Sequence, residues 1–282
     1  MKIVVLNNCV KMPILGYGVY QIAAYYECKR CVLDAIDVGY RSIDTAAAYQ
    51  NEEAVGAAII ESGVDRKEIF LTSKLWISHV GYEATKKAVE ESLNKLQTDY
   101  LDLYLIHQPF GDVHGSWRAM EKLYHDGTLK AIGVSNFHPD RVMDLIVNNE
   151  VVPAVNQIET HPFYQRYEDQ RFLEENDVQH ESWAPFAEGK NNTFSNELLV
   201  SIGEKYNKSA AQIVLRWLIQ RGVVVIPKTV HKERIKENIE VFDFELSDGD
   251  MESIQSLDTS KSQFFSHRDP EIIQWFSERI EN

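Results

Sequence analysis

The chain has 282 residues, with 43 Asp+Glu against 29 Lys+Arg and a formal net charge of −14. Hydrophobic residues make up 44% and charged residues 26%, the balance of an ordinary globular protein and not of a disordered one. The acidic total argues against a nonspecific grip on nucleic acid or on an anionic membrane, while leaving room for a local basic site.

The apolar run 3–6 is too short for a signal-peptide core, and Asn7 and Asn8 follow it at once. No stretch reaches the ~18 apolar residues of a membrane span, so the expected location is cytoplasmic. Segments 3–6 and 12–15 read as a small N-terminal hairpin. Beyond it, short β-branched runs alternate with amphipathic stretches. The predicted strands are 16–19, 41–44, 69–73, 101–106, 130–134, 154–157, 180–183 and 223–226. The helices between and after them fall at 25–38, 51–62, 82–96, 113–126, 138–148, 166–176, 209–221 and 232–239. Eight strand–helix units in strict alternation, with no composition break, predict a single α/β domain over 1–282, a closed (β/α)8 TIM barrel. An open doubly wound sheet would show fewer strands and a glycine-rich first turn.

The longest irregular segment, 185–193 (PFAEGKNNT), follows the seventh strand, and a second uncertain stretch begins after Leu257. Long loops in a compact domain are often functional, so these are candidates for a lid and a specificity flap. Of the cysteines Cys9, Cys28 and Cys31, the last two form C-x-x-C inside the predicted helix 25–38. With no second ligand pair at zinc spacing, they read as neighbours on one helix.

In such a barrel, chemistry gathers at the C-terminal ends of the strands. Those ends carry Asp44, Lys74, His107, Ser135-Asn136, Gln157, Trp183 and Lys228. Each alone has a bland reading: a solvated lysine, a structural histidine, an aspartate capping the next helix. Together Asp44, Lys74 and His107 come from consecutive strands, which places them side by side. A metal site is not expected, because the strand-end histidine stands alone and Lys74 would repel a cation.

Six segments then carry a resemblance: 39–53 (GYRSIDTAAAYQNEE), 69–76 (IFLTSKLW), 101–109 (LDLYLIHQP), 133–137 (GVSNF), 156–159 (NQIE) and 226–238 (IPKTVHKERIKEN). On them the chain resembles the aldo-keto reductases, NADPH-dependent carbonyl reductases on a TIM barrel. It is most similar to the bacterial branch of 2,5-diketo-gluconate reductases and prostaglandin F synthases. The resemblance implies a catalytic tetrad of Asp44, Tyr49, Lys74 and His107. Tyr49, in the loop after the second strand, would give a proton to the substrate carbonyl. A cation about 4 Å away is worth up to ~4 kcal/mol at an effective dielectric of 20. Lys74 could thus lower the phenol's pKa by as much as about 3 units before the opposing desolvation is subtracted. Asp44 would hold Lys74 charged, and a neutral His107 would orient the carbonyl oxygen.

The fragment Gly16-Tyr17-Gly18 is too little for a dinucleotide fingerprint. The resemblance instead implies NADPH extended across the barrel mouth. Ser135, Asn136 and Gln157 would hold its carboxamide and Trp183 would stack on its ring. Lys228, Thr229 and Arg234 would grip the 2′-phosphate, with Asn238 near the adenine. Gly18, Tyr20, Asp44, Ala184, Phe186 and Val230 complete the expected cofactor contacts. Lys and Arg suit a phosphate, and 226–238 carries four cations (Lys228, Lys232, Arg234, Lys236) against Glu233 and Glu237, a local +2. The expected substrate pocket comprises Tyr20, Tyr49, Trp76, His107 and Phe110; Phe110 and Phe137 are equally readable as packing. Where the family has Y-S-P-L-G, this chain reads Trp183-Ala184-Pro185-Phe186-Ala187, losing a serine and a glycine.

The expected partner is a small carbonyl compound, with no nucleic acid or membrane, and nothing in the sequence demands more than a monomer. A noncatalytic NADPH-binding regulatory protein would not need the tetrad. An aldolase using Lys74 as a Schiff base conflicts with the Asp44 partner, which keeps the lysine protonated.

Overall fold

The structure, a computed structural model, describes residues 2–278. It opens with an antiparallel hairpin, β1 (Ile3–Val5) and β2 (Lys11–Pro13), with Val4 opposite the fully buried Met12. In the hairpin turn, Asn7 and Asn8 donate from their side chains to the carbonyls of Pro153 and Lys130 (3.1 and 2.9 Å). Those residues precede two barrel strands, so the hairpin covers the end of the barrel where the strands begin.

The alternation then runs β3 (Tyr17–Gly18), α1 (Tyr25–Asp37), β4 (Ser42–Asp44), α2 (Glu52–Glu61), β5 (Phe70–Leu75), α3 (Tyr82–Leu96). It continues with β6 (Leu103–Ile106), α4 (Val113–His125), β7 (Ile132–Ser135), α5 (Pro139–Asn148), β8 (Val155–Glu159), α6 (Tyr167–Glu175). After β9 (Gln179–Trp183) come two helices, α7 (Glu197–Tyr206) and α8 (Ala210–Gln220), then β10 (Val224–Val225) and α9 (Lys232–Ile239). Two further helices, α10 (Asp248–Gln255) and α11 (Pro270–Ser277), lie in the tail.

The eight strands β3–β10 form one parallel sheet in sequence order. Closure comes from Gly16 N–H donating to the Val225 carbonyl (2.8 Å) and Val225 N–H to that of Ile14 (3.0 Å). The (β/α)8 barrel expected from the alternation is therefore the fold. Its strands are largely buried, and β6 and β10 read as continuous apolar runs. All six residues of β5 are buried, and Lys74 is the charged exception. Local signals place several helix starts. Asp112 accepts from Gly115 N–H at α4, and Ser209 with Gln212 makes a capping box at α8. Gly56 in α2 is required for close packing, since a Cβ there would stand 2.5 Å from the Leu96 carbonyl oxygen.

The pattern reading passed over α7, α10 and α11. All three lie outside the strict strand–helix repeat, where alternation predicts nothing. Cys28 and Cys31 are buried on α1 as unpaired thiols, as helix spacing implied. Phe137 is packed into the core at 1% exposure.

Candidate active site

Asp44 ends β4, Lys74 lies near the end of β5, and His107 follows β6. Parallel register sets these strands side by side, with Asp44 opposite Thr72 and Lys74 opposite Leu105. The Lys74 ammonium is fully buried and donates to Asp44 Oδ1 (2.5 Å), to the Thr45 carbonyl (2.9 Å) and to the Tyr49 hydroxyl (3.4 Å). Tyr49 sits in a short 3-10 turn, Ala47–Tyr49, that folds back over the barrel mouth. Its ring lies 5.6 Å from that of His107, and Trp76 packs on the other side of His107 at 5.2 Å.

The electrostatics differ in one respect from expectation. Burial pushes the Tyr49 phenol up to about 12, outweighing the nearby Lys74 charge that pulls it down. The phenol is thus a protonated donor across the physiological range, not an acidified one. Asp44 in turn raises the Lys74 ammonium above its ordinary range despite full burial. Burial, with Lys74 adding repulsion, holds the His107 imidazole well below its ordinary value, so the ring is neutral.

Beside this group lies a polar shelf. Ser135 Oγ donates to the Gln157 carbonyl (2.9 Å), and Asn136 Nδ2 donates to the His107 carbonyl (3.0 Å) and Ser135 Oγ (3.1 Å). Asn136 holds φ at +68°, a conformation asparagine tolerates better than most residues. The Trp183 indole N–H donates to Asn136 Oδ1 (2.8 Å). Gln157 Nε2 donates to both Asp44 Oδ2 (2.9 Å) and Glu181 Oε2 (3.0 Å).

After β10, Tyr17 OH donates to the Thr229 carbonyl and Arg30 Nη2 to that of Val230 (2.6 and 3.0 Å), which pins the chain leading to α9. The basic residues there divide into two kinds. Lys232 is ion-paired with Asp34 (3.0 Å) and Lys236 lies 4.0 Å from Glu240. Half-buried Lys228 and exposed Arg234 have no ion-pair partner among the described residues. Asn238 is buried one turn further along α9. A side chain at Gly18 would be crowded, its Cβ position being 3.0 Å from the Ile226 carbonyl oxygen.

The irregular segment after β9 is a run of tight turns, Ala187–Ser195, and not an open loop. It reaches across the mouth, where Gln21 Nε2 donates to Glu188 Oε1 (3.4 Å). It is also tied to the tail: Lys190 Nζ donates to the Gln263 carbonyl (2.6 Å), and Asn191 Nδ2 to Gln263 Oε1 (2.8 Å). Glu159, at the end of β8, accepts from Ser262 Oγ (2.6 Å) and Gln263 N–H (2.8 Å). Phe264 thereby lies against Trp183, ring centroids 5.2 Å apart. In α11, Phe276 packs on Trp76 and Phe110 at 6.0 and 5.5 Å. A cavity of about 360 Å³ opens between the shelf and this tail, lined by Asn136, Trp183, Glu159, Arg166 and His267 among others. Tyr20 is the outermost of the expected pocket residues, 52% exposed, with its ring 5.0 Å from that of Tyr49.

Glu159, Glu181, Phe264, His267 and Phe276 went unnoticed in the sequence. Glu159 closes the 156–159 segment, and Glu181 stands in the largely polar β9 (QHESW), where no apolar background singles it out. The tail residues carry no periodicity that would place them over the mouth.

The family model for the aldo/keto reductase family matches residues 15–259. Glyoxal reductase of Bacillus subtilis (strain 168) is 50% identical over 253 residues, covering 89% of this chain and 91% of that protein. An aldo/keto reductase structure from Brucella melitensis superposes with a TM-score of 0.87 at 47% identity, covering 91% of this chain and 99% of that one. A Bombyx mori aldo-keto reductase in complex with NADP gives a TM-score of 0.90 at 32% identity, covering 97% and 96%. The chain belongs to the aldo/keto reductase family of oxidoreductases.

Proposed function

We propose that the protein reduces small aldehydes and ketones to alcohols with NADPH, Tyr49 serving as proton donor. The observation that carries this reading is the shared lysine: one buried ammonium bonds both Asp44 (2.5 Å) and the Tyr49 hydroxyl (3.4 Å). When bound, the reduced nicotinamide supplies a hydride to the carbonyl carbon. Tyr49 gives its proton to the carbonyl oxygen, and the Lys74 charge stabilises the phenolate as it forms. Asp44 keeps Lys74 protonated in a site where burial alone would neutralise it. His107 Nδ1 is buried without a partner among the described residues, and an idle lone pair costs less there than an idle N–H. The neutral ring therefore carries its proton on Nε2, which is left to orient the carbonyl oxygen.

The residues present fit the cofactor. Lys228 and Arg234 are cations with no ion-pair partner among the described residues, as a 2′-phosphate requires. Ser135, Asn136 and Gln157 form a polar shelf suited to a carboxamide, and Trp183 beside them offers an aromatic face. The Bombyx mori neighbour was solved with NADP, which supports the same choice here. The aromatic wall of Tyr20, Trp76 and Phe110, backed by Phe276, favours small substrates, as does the likeness to glyoxal reductase. This reading takes the chain as one barrel domain, acting as a cytoplasmic monomer.

The test mixes the protein with NADPH and methylglyoxal and follows loss of the reduced-cofactor absorbance. Wild type turns over. Tyr49→Phe loses about 100-fold or more in kcat, the usual worth of a general acid, with NADPH affinity retained. Unchanged turnover in Y49F overturns the assignment of the proton donor.

A further inference from the structure

Glu181 is a carboxyl group inside the barrel that the reaction outlined above does not use. It lies on β9 directly opposite Gln157 on β8, so the two side chains share the inner face, and its exposure is 1%. Its Oε2 accepts from Gln157 Nε2 (3.0 Å), while its Oε1 has no hydrogen-bond partner among the described residues. The same Gln157 nitrogen donates to Asp44 Oδ2 (2.9 Å). A primary amide has two N–H donors and one carbonyl oxygen. Both donors of Gln157 are therefore spent on acids, and the oxygen alone is left for a ligand.

We infer that Glu181 is a positioning residue for cofactor recognition: with Asp44 it fixes the Gln157 amide so that only Oε1 faces the mouth, which selects an amide N–H₂ on the bound ring. The inference rests on the cofactor reading above. Asp44 alone would engage one N–H and leave the other free. The amide could then turn and offer a donor as readily as an acceptor.

The state of Glu181 suits this task. Burial and the neighbouring Asp44 push its carboxyl up to about 8, so it is mostly protonated at neutral pH. A neutral Glu181 still accepts through Oε2 and adds no second negative charge beside Asp44. An ionised Glu181 would compete with Asp44 for Lys74 across the barrel.

The experiment compares binding of NADP+ with that of 3-acetylpyridine adenine dinucleotide phosphate, in which a methyl group replaces the carboxamide N–H₂. Dissociation constants are read by quenching of protein fluorescence, without turnover. Wild type should prefer NADP+ by about fivefold, one neutral hydrogen bond's worth. Glu181→Gln keeps an acceptor and should keep the preference. Glu181→Leu and the more flexible Glu181→Met remove the acceptor and should bring the ratio close to one. An unchanged ratio in E181L or E181M overturns the inference, as does loss of the preference in E181Q. If both apolar variants fail to fold while E181Q folds, the carboxyl group serves the fold and the inference also falls. Wild-type protein that binds neither dinucleotide points instead to failure of the cofactor reading.

Discussion

The floor of the site and its rim are built on opposite principles. On the floor, Asp44, Lys74, Gln157 and Glu181 come from four strands, are all buried, and bond to one another. On the rim, Lys228 and Arg234 have no ion-pair partner among the described residues, and the segment after β9 reaches the tail and Gln21 through three side-chain hydrogen bonds. The floor's interactions are made during folding, so its geometry is preorganised and costs nothing at the moment of reaction. The rim's polar groups are left for a ligand. A substitution on the floor should therefore cost stability and activity together, whereas one on the rim should cost binding alone.

The strongest way to break that contrast is to remove one member of the floor pair. Asp44→Asn leaves the Lys74 ammonium fully buried with no carboxylate at its Nζ. Breaking such a pair costs about 3–5 kcal/mol, and urea unfolding should show a loss of that order along with loss of reductase activity. The double variant D44N/K74M removes the stranded charge as well and should regain part of the stability while staying inactive. A D44N protein as stable as wild type would mean the pair is not preorganised by folding.

On the rim the matching change is Arg234→Ala. It should weaken NADPH binding by about tenfold, roughly one charge-assisted hydrogen bond, and leave NADH binding and the melting temperature nearly unchanged. Equal loss for both cofactors would show that Arg234 does not meet the 2′-phosphate. A fall in melting temperature would make the rim a structural element like the floor.

The pH dependence of stability sharpens the contrast from the floor's side. Burial holds His107 and His180 well below the ordinary histidine value. Their folded forms bind protons less readily than the unfolded chain. The stability tied to these two histidines is therefore full above about pH 6.5 and is lost as pH falls below it, by about 1.4 kcal/mol per unit for each, while Glu181, raised to about 8, opposes it by losing stability as pH rises toward 8. Melting temperatures at pH 7.5 and 5.5 should differ, and His180→Gln, which keeps a partner for Thr160, should shrink the difference. Because His107 is neutral throughout, the reduction rate should show no inflection near pH 6.5. Such an inflection, absent from His107→Gln, would contradict its assigned state.

What the sequence could reveal followed the same division. Asp44, Lys74 and His107 were legible as polar interruptions at the ends of apolar strands, because strand order in a barrel converts sequence position into neighbourhood. Tyr49 was found through the family's motif alone, since its place depends on a 3-10 turn that no periodicity announces. Helices α10 and α11 and the tail contacts of Phe264 and Phe276 were illegible for a related reason. Nothing repeats there, and position is set by single long-range bonds such as Gln263 N–H to Glu159. The net acidity of Tyr49 is not legible in the sequence: the pull of Lys74 can be anticipated from two residues, whereas the larger opposing burial depends on everything packed around the ring.

The smallest effect is expected where the rim departs from its family pattern. Ala187 stands at φ +49°, in the left-handed region that a residue with a Cβ occupies at a cost of roughly 1–2 kcal/mol. Ala184, at φ +48°, shares the strain, and Glu188, Asn191 and Asn192 continue it. Only two of these five are asparagines, which accept the conformation more easily. The segment is thus strained as well as lightly tied, and bonds from Lys190 and Asn191 to Gln263 offset the strain. Ala187→Gly relieves it locally but also gives the unfolded chain more freedom, a cost of about 0.4–1 kcal/mol. The net gain should be a few tenths of a kcal/mol, visible as slower proteolytic cleavage in 185–195 and hardly visible in the melting temperature. A large rise in melting temperature would show that this turn unfolds with the barrel, and the division between floor and rim would then fail at the one place where the rim crosses the mouth.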